Sequence, residues 1–229
     1  MKGPTRYPVP SIAAALLPAA LLACAGRTSG TVQTVPPPVT AATSQQSALA
    51  KARADSASRP YTEADIRFMS GMISHHSQAI LMAGWAPSHG ASDAVRRLAA
   101  RIINAQQDEI ALMQQWLADR RQPVPEPNPK GMKMVMNGME HLMLMPGMLN
   151  DAQLHQLDQA RGSDFDLLFL QFMIQHHRGA VSMVNDLFST NGAGQDQFAF
   201  KLASDVNVDQ TTEIARMQKM LAALLTSPQ

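Results

Sequence analysis

The segment from Met132 to Met148 contains residues whose type and spacing point to metal chemistry. It holds seven methionines, whereas the rest of the chain after residue 23 holds eight. The spacings Met-x-Met-x-Met, Met-x-x-Met and His-x-Met give the candidate ligands Met132, Met134, Met136, Met139, His141 and Met143. Thioether sulfur is a soft, uncharged ligand that suits Cu(I) and Ag(I) and is poor for zinc, magnesium or calcium. The segment predicts a soft-metal site; an adaptable apolar cover for a peptide or lipid is the alternative.

Two His-His pairs form a second set of candidate ligands. Residues 65–82 and 166–183 share Asp, Phe, Met, His-His, Ala and Met in the same order at a constant offset. On a helix, each pair flanks an apolar face and follows a methionine by one turn, so a sulfur can lie beside an imidazole. The residues concerned are Met72, His75 and His76, and then Met173, His176 and His177.

The helix that follows each His-His segment carries a polar pair inside its apolar stripe. These pairs are Gln106 with Glu109 and Gln210 with Glu213. A buried charge needs a strong partner, and a Glu–His hydrogen bond provides one while leaving the other imidazole nitrogen free. Glu109 and Glu213 are therefore predicted to orient imidazoles that face a metal. A purely structural hydrogen-bond network in the core is the alternative.

The elements that must position these residues are four long amphipathic helices, predicted at about 63–86, 93–121, 164–189 and 195–225. Thr62 and Ser163 each precede an Asp by three residues and are expected to cap a helix. The fold class is all-α: an antiparallel four-helix bundle made of two repeated hairpins, 61–122 and 163–226, with a Met-rich connector, 130–150. No strand-like alternation of useful length is recognised, and Pro146-Gly147 favours a loop with short helices in the connector. His89 and His155 are expected at the surface.

The first 60 residues are typical of an export signal and a tether. A basic start and an apolar run end in Leu21-Leu22-Ala23-Cys24, which resembles a bacterial lipobox. This predicts a signal peptide over 1–23, lipidation of Cys24, a disordered linker over 24–60 and a folded domain over 61–229. The protein would then be an extracytoplasmic, membrane-anchored lipoprotein, on the periplasmic side or at the cell surface. An ordinary secretory signal with an incidental cysteine is the alternative.

Composition excludes several classes of function. The formal net charge of +1 and the aromatic content of 5% give no reason to expect a nucleic-acid partner. One cysteine cannot form an internal disulfide or a Cys-based zinc site. Membrane contact is expected through the lipid anchor only.

The twin Phe-x-x-x-Met-x-x-His-His-x-x-Ala-x-x-Met segments, each followed by a Glu-Ile-x-x-Met helix, resemble the domain-of-unknown-function 305 family. The resemblance covers about Tyr61–Leu225. It implies a ferritin-like four-helix bundle, and its better-understood members resemble periplasmic or secreted copper-binding proteins linked to copper resistance. Carried over to this chain, the implied ligands are Met72, His75, His76, Met82, Met173, His176, His177 and Met183.

These observations predict a non-enzymatic, extracytoplasmic copper-binding protein. Cu(I) is the favoured ion, Ag(I) its analogue and Cu(II) a secondary candidate, for buffering, delivery or resistance. Its partners would be the metal ion and, for delivery, another envelope metal-handling protein. Two alternatives remain: a structural or interaction module, and a di-metal ferritin-like oxidase. The oxidase is disfavoured because the chain has no Glu-x-x-His motif.

Overall fold

The computed structural model describes residues 46–48, 50–51, 60–136 and 138–226, which lie in one compact unit of residues 40–229. Residues 46–48, 50 and 51 are helical and exposed. The other elements are α1 (Glu63–Gly84), α2 (Asp93–Asp119), β1 (Met132–Met136), β2 (Met139–Met143), α3 (Asp151–Gln159), α4 (Gly162–Ser189) and α5 (Gln197–Thr226). The prediction of a mostly helical protein is confirmed, and the four long helices end within two residues of their predicted bounds.

Hydrogen bonds at the first turns of α1 and α4 join the two halves of the chain. Thr62 caps α1 as predicted, in a reciprocal capping box with Asp65. The buried Asp65 also accepts a hydrogen bond from the backbone N–H of Gly194, 2.8 Å away, in the loop before α5. The predicted cap by Ser163 is wrong, because α4 begins at Gly162, two residues before its predicted start, without a side-chain cap. The equivalent acid, Asp166, instead accepts from the backbone N–H of Ser92, which caps α2.

The helices pack as two hairpins that meet through α1 and α4. The helix α1 packs along α2, α4 packs along α5, and α1 contacts α4. The buried apolar side chains form two groups. We call them the first core cluster, which includes Phe68, Met72, Trp116 and Met183, and the second core cluster, which includes Met82, Leu98, Phe169 and Met173. Burying a side chain of this size stabilises the fold by about 1.5–3 kcal/mol, so these clusters fix how the hairpins pack.

The connector corrects the expectation of a loop with short helices and no strand. The strands β1 and β2 pair as an antiparallel hairpin, with Met132 opposite Met143 and Met134 opposite His141. The alternation Met-x-Met-x-Met matches the two-residue period of a strand, and Asn-Gly is a strong hairpin-turn signal. The sequence therefore carries a strand signal, which neither the soft-metal interpretation nor the apolar-cover alternative takes into account.

A buried glutamine holds both ends of the connector. The side-chain amide of Gln78 on α1 donates to the carbonyls of Pro129, at 2.8 Å, and Leu149, at 3.0 Å. Its carbonyl accepts from the backbone N–H of Leu149 at 2.6 Å. The unpredicted helix α3 follows, capped by Asn150. The connector is therefore fixed to α1 next to the histidine pair.

The structure also bears on the positions predicted for His89 and His155, and the predictions for the first residues of the chain stay untested. His89 is not at the surface: its ring is buried and contacts the backbone carbonyl of Asp158 at 3.0 Å, whereas His155 is exposed. Cys24 and the predicted signal peptide lie outside the described residues, so lipidation stays a prediction. Within the described part of the chain, none of the helices has the length and apolar character that a membrane span needs.

Candidate metal centre

Four buried histidines, here called the histidine cluster, lie at the contact between α1 and α4. His75, His76, His176 and His177 have no exposed surface. The ring centroids of His75 and His176 are 3.8 Å apart, with an angle of 39° between the ring planes. Within each helix, neighbouring rings are 6.3 Å apart. The repeat therefore brings one imidazole from each half into direct contact in the protein interior.

His76 and His177, which we call the outer histidines, each form a hydrogen bond with a glutamate of the following helix. Nε2 of His76 lies 2.7 Å from Oε2 of Glu109, and Nε2 of His177 lies 2.8 Å from Oε2 of Glu213. Because a carboxylate only accepts, each Nε2–H donates, and Nδ1 is the ring nitrogen left over. Both Nδ1 atoms are buried without a hydrogen-bond partner. The glutamates thus fix the orientation of both rings.

His75 and His176, which we call the inner histidines, are neutral and have ring nitrogens without a hydrogen-bond partner. Nε2 of His75 donates to the carbonyl of Pro146 at 3.0 Å, and its Nδ1 has no partner. Neither ring nitrogen of His176 has one. Burial, and then the neighbouring His76, lowers the pKa of His75 to about 3. Burial and the adjacent His75 also hold the pKa of His176 well below its usual value. Neutral imidazoles with free lone pairs can act as metal ligands at pH 7.

The segment Met145–Met148, here called the strap, crosses α1 and α4 beside His75. A Cβ atom at Gly179 would lie 1.9 Å from the carbonyl oxygen of Pro146, and one at Gly71 would lie 2.9 Å from the sulfur of Met145. The glycines therefore allow an approach that other residues would prevent. Gly71 precedes His75 by one helical turn, so the Met145 sulfur lies against α1 one turn from His75.

The strap adds two sulfurs that the sequence analysis did not assign as ligands. Met145 and Met148 are buried in the first core cluster, and the backbone N–H of Met145 points to the Met148 sulfur at 3.3 Å. A Cβ at Gly71 would also contact the methyl group of Met183 at 3.3 Å. The first core cluster contains five candidate thioethers: Met72, Met132, Met145, Met148 and Met183. The signal was available, since both strap residues belong to the Met-rich run.

The repeat places the other two helical methionines elsewhere. Met82 and Met173 are buried in the second core cluster. There the chain between the hairpins supplies Leu149, Leu154 and Leu157 instead of methionines. The eight ligands implied by the family resemblance are thus divided between the histidine cluster and the two core clusters.

The hairpin carries a set of candidate donors that runs from the first core cluster to the surface. Alternation and register put Met132, Met134, His141 and Met143 on one face of β1 and β2. Met132 is buried and Met134 is partly buried against the first core cluster, whereas His141, Met139 and Met143 are exposed. Met136 pairs with Met139 in the register. The hairpin therefore leads from solvent to the first core cluster.

The donor set of this region is mixed nitrogen and sulfur. Among the described residues, no three His, Cys, Asp or Glu side chains converge closely enough to hold a metal ion. The imidazoles alone do not complete a site, so methionine sulfurs are needed beside them. Thioether and neutral imidazole together suit a soft monovalent ion better than a hard divalent one.

Comparisons with known proteins agree with this architecture. The model of the family described as "Domain of unknown function (DUF305)" matches residues 65–221. A DUF305 protein from Streptomyces coelicolor that is expected to be secreted is similar in structure, with a TM-score of 0.59 and 29% identity, over 72% of this chain and 96% of that one.

Two further relatives differ in what is known of them. CopM in its Cu(I)-bound form has a TM-score of 0.52 and 28% identity, over 72% of this chain and 98% of that one. CopM has also been solved in Cu(II)-bound and Ag-bound forms. The uncharacterized protein L153 of Acanthamoeba polyphaga mimivirus is 39% identical over 57 residues, which are 25% of this chain and 38% of that protein.

Proposed function

The chain belongs to the DUF305 family, and from this premise we propose that it is an extracytoplasmic protein that binds Cu(I) through methionine and histidine. Ag(I) is the analogue and Cu(II) the secondary ion. The observation that carries the proposal is the neutral, buried contact between His75 and His176, with the Met145 sulfur held against Gly71 one turn away. Buried polar nitrogens without partners are costly, so a ligand at these nitrogens would offset that cost.

The proposed site has an inner and an outer part. The inner part is the histidine cluster with the thioethers of the first core cluster, of which Met72, Met145 and Met183 are the strongest candidates. Glu109 and Glu213 orient the outer imidazoles through their hydrogen bonds. The outer part is the methionine face of the hairpin, which would capture the ion and pass it inward. Met82 and Met173 are secondary candidates, because they lie in the second core cluster.

The relatives support the choice of metal. CopM has been solved with Cu(I), Cu(II) and Ag bound, and it covers most of the folded part of this chain. The location proposed here, a lipid-anchored protein outside the cytoplasm, is supported by the lipobox-like Leu21-Leu22-Ala23-Cys24 and by the Streptomyces relative. A ferritin-like four-helix bundle derived from one duplicated hairpin is part of the same proposal.

Buffering or delivery of copper, without enzymatic turnover, is the role we propose. The described residues present no arrangement that we assign to a nucleophile and its base. The structural-module alternative rests on the same His–Glu bonds acting only as core hydrogen bonds. The di-metal oxidase alternative requires bound iron or manganese at the histidine cluster and oxygen consumption with ferrous iron.

Competition with a chromogenic Cu(I) chelator tests the proposal. The tag-free mature chain, residues 24–229, should remove Cu(I) from the chelator in a fixed stoichiometry, and Ag(I) should displace the bound copper. A matched protein with Met132, Met134, Met136 and Met139 changed to Leu should keep the inner binding step, since leucine preserves apolar volume without sulfur. Failure of the parent chain to compete at micromolar Cu(I) would refute the proposal and favour the structural module.

A further inference from the structure

A polar cavity lies between α2 and α5, on the far side of the glutamates from the histidines. Its volume is about 300 Å³. Six side chains that carry oxygen line it: Gln106, Glu109, Asp209, Gln210, Thr212 and Glu213. The two Gln-x-x-Glu pairs of the repeat therefore face one common space, which the copper proposal does not use.

Two buried amides point to a ligand in this cavity. Gln106 and Gln210 are each only 2% exposed. Neither amide atom of Gln106 has a hydrogen-bond partner, and the carbonyl oxygen of Gln210 has none. A buried polar group without a partner costs about 1–3 kcal/mol. A cation coordinated by the Gln106 and Gln210 carbonyl oxygens would remove the part of this cost that comes from the oxygens.

The carboxylates around the cavity indicate the charge of that species. Glu109 lines the cavity and uses Oε2 for its hydrogen bond with His76. Glu213 uses Oε2 for His177, and its Oε1 receives only a 3.4 Å contact from the half-exposed Arg101. Burial, and then the charges of Glu109, Glu213 and Asp205, raises the pKa of Asp209. Of these four acids, Glu109, Asp209 and Glu213 line the cavity, and carboxylates close enough to repel one another favour a cation between them.

We propose that this cavity binds a divalent cation that prefers oxygen ligands, such as Mn²⁺ or Ca²⁺. Glu109 and Glu213 supply charge, Gln106 and Gln210 supply amide oxygens, and water completes the shell. Water is required because no three acidic or histidine side chains converge on one point in the described residues. Arg101 and Arg216 also line the cavity and reduce its negative potential. The site contains no sulfur, and it shares with the copper proposal only Glu109 and Glu213, whose Oε2 atoms bond to His76 and His177.

Titration with Mn²⁺ alone, followed by electron paramagnetic resonance, tests this site. The mature chain should quench the signal of hydrated Mn²⁺ with one ion bound per chain, and Ca²⁺ should compete. Asp209→Asn should weaken binding about tenfold, because it removes one negative charge from the lining of the cavity. The matched control is Asp205→Asn, one helical turn before Asp209. It removes the same charge from a side chain that already pairs with Lys201, and it should change affinity less than about threefold.

Two more variants sharpen the test. Arg101→Met removes a competing cation and should strengthen Mn²⁺ binding, while Gln106→Met with Gln210→Met keeps volume and should weaken it. Prior loading with Ag(I) should leave Mn²⁺ binding unchanged, which separates this site from the soft one. The proposal is overturned if millimolar Mn²⁺ stays hydrated, or if Asp205→Asn and Asp209→Asn weaken binding equally. The first result assigns the cavity to water, and the second shows that Mn²⁺ is held by general surface charge and not by the cavity.

Discussion

The two core clusters are built from the same repeat, yet only the first is rich in methionine. Met72 and Met183 in the first core cluster correspond in the repeat to Met173 and Met82 in the second. The chain between the hairpins then adds Met132, Met145 and Met148 to the first cluster, and Leu149, Leu154 and Leu157 to the second. The two recurring segments thus contribute matching residues to both clusters, and the connector adds methionines to the first cluster only, which is why the proposed soft-metal site lies there.

Removal of sulfur from one cluster at a time is expected to give the largest effect. Changing Met72, Met145 and Met183 to leucine should weaken Cu(I) binding about a hundredfold, roughly 2.7 kcal/mol, because the inner thioethers are lost while apolar volume is kept. Chelator competition measures the affinity. The matched control changes Met82 and Met173 to leucine and should leave it nearly unchanged. Equal losses in the two proteins would show that the clusters are functionally equivalent.

The histidines between the clusters should make the metal-free protein sensitive to acid. Because the pKa of folded His75 is about 3, the unfolded chain takes up a proton near pH 6.5 that the folded chain refuses. The buried neutral His75 therefore does not lower the free energy of unfolding above pH 6.5. It lowers this free energy progressively as the pH falls from 6.5 toward 3. Between pH 7.5 and 5 the free energy of unfolding should drop by about 2 kcal/mol from His75, and His176 acts in the same direction.

Urea unfolding of the metal-free mature chain at several pH values measures this slope. His75→Leu should flatten it between pH 7.5 and 5, whatever its effect on stability at neutral pH. His155→Leu, at an exposed position outside the cluster, serves as the control and should leave the slope unchanged. A His75→Leu protein with the parent slope would contradict the neutral, buried state of this ring.

The strap adds Met145 and Met148 to the first core cluster only, and Gly179 allows the strap to lie close against α4. In Gly179→Ala the new Cβ would meet the Pro146 carbonyl, so the strap must shift and Met145 and Met148 must leave their positions. Stability should fall by about 1–3 kcal/mol, and Cu(I) binding should weaken with it. Gly84→Ala, where a Cβ meets nothing within 4 Å, should instead stabilise α1 slightly. Thermal unfolding of both proteins checks this pair.

Changes in the exposed hairpin should have the smallest effect on equilibrium affinity. Met139 and Met143 are 60% and 43% exposed, so changing both to leucine should weaken Cu(I) binding by only about threefold. Stopped-flow mixing should show slower uptake, since the outer donors are lost. An affinity loss as large as that of the inner variant would move the principal site to the hairpin.

Much of the scaffold could be predicted from the sequence, because strong helical periodicity repeats and Thr62 and Asp65 form a local capping signal. The interior position of His75 and His176 also follows from the apolar faces that they flank. The strap could not be predicted in this way, since Gly71 and Gly179 are far from Pro146 in sequence and their role depends on tertiary contact. For the same reason Asp166, which looked like a local helix start, bonds instead to Ser92 in the other hairpin. Local patterns were informative where local energies dominate.

X-ray absorption at the copper edge of the Cu(I)-loaded mature chain tests the central claim most directly. The account predicts both sulfur and imidazole nitrogen in the coordination shell. The sulfur signal should diminish when Met145 and Met183 are changed to leucine and persist when Met82 and Met173 are changed. A shell of nitrogen and oxygen alone, or a sulfur signal that is lost only in the Met82 and Met173 variant, would contradict it.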